Sequence, residues 1–99
     1  MPIFICLMNW TDQGAKAAKD TAKREQAGKS IADKLGGKLL SAYVTTGQYD
    51  VILTLEMPSG EAMVKFVSAL AASGNVRTET MRGFTATEFS KLASEAPTP

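Results

Sequence analysis

The segment from Ile3 to Trp10 constrains the fold more than any other, because it is apolar on both of its faces. It reads IFICLMNW and is dominated by residues that favour strands. Successive side chains of a strand point to opposite faces. The two faces here carry Ile3, Ile5 and Leu7 on one side and Phe4, Cys6 and Met8 on the other. A strand that is apolar on both faces is expected to be buried on both.

The remaining segments predict two main helices, three further strands and a short terminal helix. In chain order they are a helix over 15–35, strands over 38–46 and 49–57, a helix between Ser59 and Gly74, a strand over 75–83 and a helix after Thr85. Gly36-Gly37 ends the first helix. Asp20-Thr21 can cap a second segment within that helix, so a continuous and an interrupted form are both open. The order βαββαβ is that of the ferredoxin-like fold.

The alternation of side chains along the strands predicts which residues share a face of the sheet. In the third strand one face carries Val51, Leu53, Leu55 and Met57. In the second strand one face carries Leu40, Ala42 and Val44, and the other carries Leu39, Ser41, Tyr43 and Thr45. The last strand leaves two alternatives, a face with Arg77, Glu79 and Met81 or a face with Val76, Thr78, Thr80 and Arg82. Either choice places an arginine near the sheet surface.

The doubly apolar first strand has a consequence for assembly. In the ferredoxin-like fold both main helices cover one face of a four-stranded antiparallel sheet, and the other face is bare. Apart from the short final helix, the domain has no spare helix for that face, and the sheet of a second copy is the simplest cover. We therefore expect residues 1–94 to form a single domain that assembles as a two-fold symmetric homodimer, or a larger homo-oligomer, of the dimeric α+β barrel type.

The end of the chain carries a strong signal for the start of a helix. Thr85 and Glu88 have the spacing of a capping box, and Phe84 and Phe89 occupy the positions of a hydrophobic staple. We expect a short helix here, followed by a disordered tail over residues 95–99.

The absence of histidine and the presence of a single cysteine exclude most catalytic and metal-binding arrangements. Without histidine there is no Ser-His-Asp or Cys-His nucleophile, no histidine-ligated haem and no common zinc or non-haem iron site. No spacing of Asp and Glu resembles a calcium loop. We therefore expect neither a metal nor a cofactor. Cys6 lies in an apolar strand, which predicts a buried small hydrophobic residue rather than a reactive thiol.

The sequence also bears on where the protein is located and on how its charge is distributed. No apolar run approaches the ~20 residues that span a bilayer, and the first strand lacks the basic flank and cleavage site of a signal peptide. One cysteine allows no intramolecular disulfide, so we expect a cytoplasmic protein without membrane contact. Seven basic and three acidic residues lie between Lys16 and Lys38. This stretch predicts either a solvated helix face or a surface for nucleic acid or an acidic partner.

Four stretches carry a resemblance to a known family. They are Thr11-Asp12-Gln13-Gly14, Leu35-Gly36-Gly37-Lys38, Thr45-Thr46-Gly47-Gln48-Tyr49-Asp50, and Gly74-Asn75-Val76-Arg77-Thr78-Glu79-Thr80 with Arg82 and Phe84. In these motifs the chain resembles the GYD-domain family from the first strand to the last helix. The resemblance implies a small bacterial or archaeal protein of the dimeric α+β barrel type. It implies no established activity, because the family is largely uncharacterised.

The candidate ligand-binding residues lie on the predicted bare face of the sheet and in the turn before the third strand. They are Tyr43, Thr45, Tyr49, Asp50, Thr54, Glu56, Arg77 and Arg82. The pattern predicts a small pocket for an anionic ligand at or near the dimer interface, lined by Tyr43, Glu56 and either Arg77 or Arg82. The alternative is that Glu56 pairs with an arginine across strands and that the barrel interior holds no ligand.

The turn from Gly47 to Asp50 and the end of the first strand each allow two interpretations. Tyr49 and Asp50 can contact a ligand, or Gly47 supplies a positive φ, Asp50 bonds to backbone in the turn and Tyr49 packs at a sheet end. Trp10 can cover a pocket mouth or simply pack against the domain. These motifs assign no catalytic residue.

These observations favour a non-catalytic homodimer that binds a small molecule as a sensor or accessory protein. The runner-up is a cofactor-independent enzyme of the monooxygenase or isomerase type found among α+β barrels, with Tyr43, Asp50, Glu56 and Arg77 as acid–base and oxyanion candidates. A structural assembly subunit is a third hypothesis. Nucleic-acid binding is disfavoured, because the segment DVILTLEM of the third strand, residues 50–57, has no aromatic residue on which a base could stack.

Overall fold

The computed structural model describes all residues from Met1 to Pro99. Its elements are β1 (Ile3–Trp10), α1 (Asp12–Lys16), a 3-10 turn (Ala18–Asp20), α2 (Thr21–Lys34), β2 (Lys38–Val44), β3 (Val51–Glu56), α3 (Gly60–Ala72), β4 (Val76–Gly83) and α4 (Ala86–Ser94). The predicted βαββαβ order with a terminal helix is confirmed, and the chain has the ferredoxin-like α+β fold.

The four strands form one antiparallel sheet in the order β2-β3-β1-β4, with β1 hydrogen-bonded to both β3 and β4. Directly opposed residues of an antiparallel pair point to the same face of a sheet. Buried Cys6 lies opposite Leu53 on β3 and Thr80 on β4, so these residues face the helices. The register therefore places Val76, Thr78, Thr80 and Arg82 on the helix side of β4. It places Arg77, Glu79 and Met81 on the other side.

The predicted first helix is interrupted, which was one of its two predicted forms. The Thr11 side chain accepts a hydrogen bond from the backbone N–H of Gly14 and caps α1. The chain leaves α-helical conformation at Ala17, where φ is −113° and ψ is 30°, and passes through the 3-10 turn into α2. The interruption makes α1 a short connector against the end of β1, and α2 is the helix that crosses the sheet.

The hydrophobic core lies between the helices and one face of the sheet. Its most completely buried side chains are Cys6, Leu55, Met57 and Phe66. Around them pack Met8, Ala32, Val51, Leu53, Ala62 and Met63. The prediction that Cys6 is a buried small hydrophobic residue is confirmed, and burial raises the pKa of its thiol above the ordinary value.

The predicted faces of β2 are wrong at its first residues. The register shifts between Leu39 and Ser41, where β2 carries a bulge opposite β3. Leu39 therefore lies opposite Leu55 on the helix side, together with Ala42, while Leu40 is left exposed. A bulge inserts one extra residue, and this reverses the parity of the residues that precede it.

The terminal helix α4 stands away from the rest of the domain. The predicted capping box is confirmed, since the Thr85 hydroxyl accepts from the Glu88 N–H and the Glu88 carboxylate accepts from the Thr85 N–H. Every residue of α4 is exposed, and no other element packs extensively against it. The radius of gyration of 15.1 Å exceeds the roughly 13 Å of a compact domain of this length. None of the helices is long and apolar enough to cross a membrane.

Candidate functional site

The sheet face opposite the main helices, here called the open face, carries a central row of apolar side chains. Its apolar members are Ile3, Ile5, Leu7, Ile52 and Met81. No helix packs extensively against this face, and in the single chain Ile3, Ile5, Leu7 and Ile52 are partly exposed while Met81 is 43% exposed. An apolar sheet face of this kind is expected to be covered by another surface.

A polar pair closes one end of the open face. The Tyr49 hydroxyl donates a hydrogen bond of 2.7 Å to Oε2 of Glu79, which lies on β4 opposite Leu7. Because Tyr49 precedes β3, this bond reaches across β1 and ties the β2–β3 loop to β4. The hydrogen bond to the Glu79 carboxylate raises the pKa of Tyr49 above its ordinary value, so the phenol stays protonated and acts as a donor.

Asp50 supports the end of β1 directly. Its Oδ2 accepts a hydrogen bond of 2.9 Å from the backbone N–H of Trp10, and its own backbone N–H donates to the Met8 carbonyl. The carboxylate thus adds one side-chain hydrogen bond beyond the end of the β1–β3 pairing. The Asp50 carboxylate was predicted to bond to backbone within its own turn, and this is wrong, because its backbone partner lies on β1. The predicted positive φ at Gly47 is wrong, because the positive-φ glycines are Gly36 and Gly74.

The other predicted site residues lie apart from one another. Thr45 donates to the carbonyl of Tyr49, Thr54 shares a hydrogen bond with Ser41, and Tyr43 is 68% exposed on the edge strand β2. Glu56 lies opposite Ile3 and Lys38, whereas Arg77 lies opposite Asn9. Six residues along β1 separate these two ends of the open face, which corresponds to roughly 20 Å.

Arg82 is on the helix side of the sheet, so the structure does not bring it to Tyr43 and Glu56. Its guanidinium carbon lies 4.6 Å from the ring centroid of Phe84 and 6.0 Å from that of Phe4. These distances are those of cation–π contacts, and they connect the start of α4 to the sheet. Of the two arginines proposed for an anionic ligand, Arg77 alone faces the open side. The ligand itself stays a prediction.

The motif after β1 and the motif before β4 form one hydrogen-bonded unit, here called the clasp. The Thr11 N–H donates to the Asn75 carbonyl at 3.0 Å, and the Thr11 hydroxyl donates to the Gly74 carbonyl at 2.6 Å. The Gln13 amide donates to Oδ1 of Asn75 at 3.0 Å. A Cβ at Gly14 would lie 1.9 Å from the Asn75 carbonyl oxygen, so the backbones approach each other as closely as glycine allows. These motif residues therefore hold the end of the sheet together.

A cavity of about 500 Å³ lies on the helix side, next to the clasp, and sequence reasoning missed it. It is bounded by α2, by β2 and β3, by the end of β1 and by the last turn of α3. The signal that could have indicated it is Gly28, a glycine at a buried position of α2 where a core helix normally carries a larger side chain. No group of three His, Cys, Asp or Glu side chains lies close enough to hold a metal ion.

The chain also matches a known protein family. The family described as GYD domain matches residues 4–93, which include β1 except its first residue, the other three strands and most of α4. The chain belongs to the GYD domain family. A relative from Thermus thermophilus, named "Glutamine synthetase and cystathionine beta-lyase binding protein", is 27% identical over 82 residues, which cover 82% of this chain and 86% of the relative.

The fold of this GYD protein also matches a solved structure. A crystal structure of a Thermus thermophilus protein superimposes with a TM-score of 0.55 at 24% identity, covering 87% of this chain and 96% of the other. The match supports the ferredoxin-like architecture. At this identity it is informative about the fold alone.

Proposed function

We propose that this GYD protein is a non-catalytic accessory protein that forms a homodimer through its open face and binds another protein. The observation that carries the proposal is the open face itself, with five apolar side chains and no covering helix in the single chain. A two-fold related copy presents the same apolar face, so the two sheets bury each other.

The positions of the acid–base candidates support a non-catalytic protein. The Tyr49 proton is engaged with Glu79, and the Asp50 carboxylate accepts from the Trp10 backbone. A general base must reach the proton it removes, and both groups already serve the fold. Glu56 and Arg77 lie at opposite ends of the open face, so one small substrate cannot contact both within a single chain.

The helix α4 is the element we assign to the protein partner. Phe89 and Leu92 fall three residues apart on one side of the helix and are 63% and 49% exposed. A nine-residue helix is marginal on its own in water, so this one gains from a groove that receives its apolar side. The name of the Thermus thermophilus relative supports a protein partner and makes glutamine synthetase the first one to test.

Ile5→Glu is expected to convert the dimer into a monomer. Ile5 lies at the centre of the open face, opposite Thr54 and Met81, and a carboxylate there would be buried without a partner in the dimer. We expect the dimer to weaken by roughly 30-fold or more. Sedimentation velocity over a concentration series measures this, and circular dichroism checks that the variant is folded.

The matched control for this test is Val64→Glu. Val64 is 62% exposed on α3, on the helix side of the sheet, so the same change in chemistry should leave the dimer intact. A monomeric wild-type protein, or an Ile5→Glu variant as dimeric as the control, would refute assembly through the open face.

Phe89→Glu with Leu92→Glu is expected to remove binding to the partner while leaving the dimer unchanged. We propose biolayer interferometry with the dimer immobilised and the glutamine synthetase of the same organism in solution. A helix-in-groove contact should weaken by at least about 30-fold when both anchors are lost. The control is Thr87→Glu with Ser94→Glu, which places the same charges on the opposite side of α4. Absent wild-type binding, or equal binding by both variants, would contradict the assignment.

A further inference from the structure

The cavity under α2 has the size of a ligand-binding pocket and is partly open to solvent, with exposed Tyr43 and Val44 among its lining residues. Its volume is about 500 Å³, within the roughly 300–1,000 Å³ of pockets that hold organic molecules. Its walls come from two helices and residues of all four strands, and its floor is the helix side of the sheet, with Met8, Val51 and Leu53. It therefore lies on the opposite side of the sheet from the open face, and it does not depend on dimerisation.

The sequence of α2 keeps this space open. Gly28 is buried, yet a Cβ at this position would meet no atom within 4 Å. Its φ is not positive, so no backbone conformation requires glycine there. Glycine inside a helix is less favourable than alanine, and an unfilled apolar cavity is also unfavourable. The helix thus carries a residue that weakens it and leaves room beside the core, which points to an occupant.

The walls and one end of the cavity differ in chemistry. Most of the lining is apolar, with Ile31, Leu39 and Leu70 among the larger contributors. Polar groups occur toward the clasp, where Thr21, Arg24, Ser73 and Asn75 line the cavity.

The clasp holds this polar end in position. The Arg24 guanidinium donates to the backbone carbonyls of Gly14 and Ala17 at 3.2 and 2.9 Å. The side chain of Asn75 is oriented by the bond from Gln13. Donors and acceptors that are already fixed bind a ligand with a smaller loss of conformational entropy.

We infer that the cavity binds a small, uncharged, largely apolar organic molecule with a single polar end directed at Thr21, Ser73 and Asn75. An uncharged ligand fits because the lining contains one basic and one acidic side chain, Arg24 and Glu25, and the basic one is already engaged.

The test uses N-phenyl-1-naphthylamine, an uncharged apolar dye whose fluorescence rises when it leaves water. Titration of the full-length protein is expected to show saturable binding of one dye per chain. Gly28→Leu fills the space that the absent Cβ leaves, and it should weaken dye binding by at least 10-fold. The matched control is Ser30→Leu, which adds the same side chain on the exposed side of α2 and should bind dye like the wild type.

The remaining surfaces of the protein are controlled in the same assay. Dye binding should persist in Ile5→Glu and in Phe89→Glu with Leu92→Glu, since neither the open face nor α4 lines the cavity. Ala42→Leu fills the cavity from β2. If Gly28→Leu folds poorly, Ala42→Leu provides the same test and should show the same loss of dye binding. Full binding by both filling variants would overturn the inference. Binding that appears only after α4 is altered would also overturn it, because the cavity would then belong to α4 of another copy.

Discussion

Gly14→Ala is expected to destabilise the protein by about 3 kcal/mol, the upper part of the range for overpacked sites. The added Cβ would lie 1.9 Å from the Asn75 carbonyl oxygen and 2.9 Å from its carbonyl carbon. Both are backbone atoms, so the α3–β4 loop must move, and the Thr11–Asn75 backbone bond of 3.0 Å is strained with it. Chemical denaturation followed by circular dichroism measures the free energy of unfolding.

Gly28→Ala is the matched control, because it is the same substitution at another buried helical glycine. A Cβ at Gly28 meets nothing within 4 Å, so the variant should gain up to about 1 kcal/mol from helix propensity. Opposite signs for the two variants would show that the clasp depends on close backbone contact. Equal changes in the free energy of unfolding would show that Gly14 is not needed for close contact with the Asn75 backbone. Gly14 would then be needed only for its backbone freedom, or not at all.

Phe66→Ala is expected to cost about 4 kcal/mol in the free energy of unfolding. Phe66 lies on α3, is 0% exposed and is the largest fully buried side chain of the core. Removing it takes away its transfer free energy and leaves a cavity that Leu55, Met57 and Met63 cannot fill completely. Small domains have a total stability of only about 5–15 kcal/mol, so the melting temperature should fall by well over 10 °C.

The control for Phe66→Ala is Val64→Ala on the same helix. Val64 is 62% exposed, and truncating it should change the unfolding free energy by less than about 0.5 kcal/mol. A small loss for Phe66→Ala would mean that α3 can move onto the sheet and collapse the space. Such a result would contradict the packing described for the core.

The candidate site was only partly predictable from the sequence. The turn pattern predicts a bond from Asp50 to backbone within the turn, but its partner is the Trp10 N–H, 40 residues away on another strand. Tyr49 could not be paired with Glu79 in advance, because their meeting depends on the strand order β3-β1-β4. Arg82 was a candidate for the open face until the pairing of β4 with β1 placed it beside Phe4.

The sequence by itself determined the order of the elements, the two apolar faces of β1, the inward face of β3 and the cap at Thr85. These features are local, because side-chain alternation and capping act within a few residues. Only the tertiary structure decided the bulge in β2, the facing of β4, the clasp and the cavity under α2. Each of them depends on which distant backbones come together, and neither the register of paired strands nor the space left between packed elements is contained in a single segment.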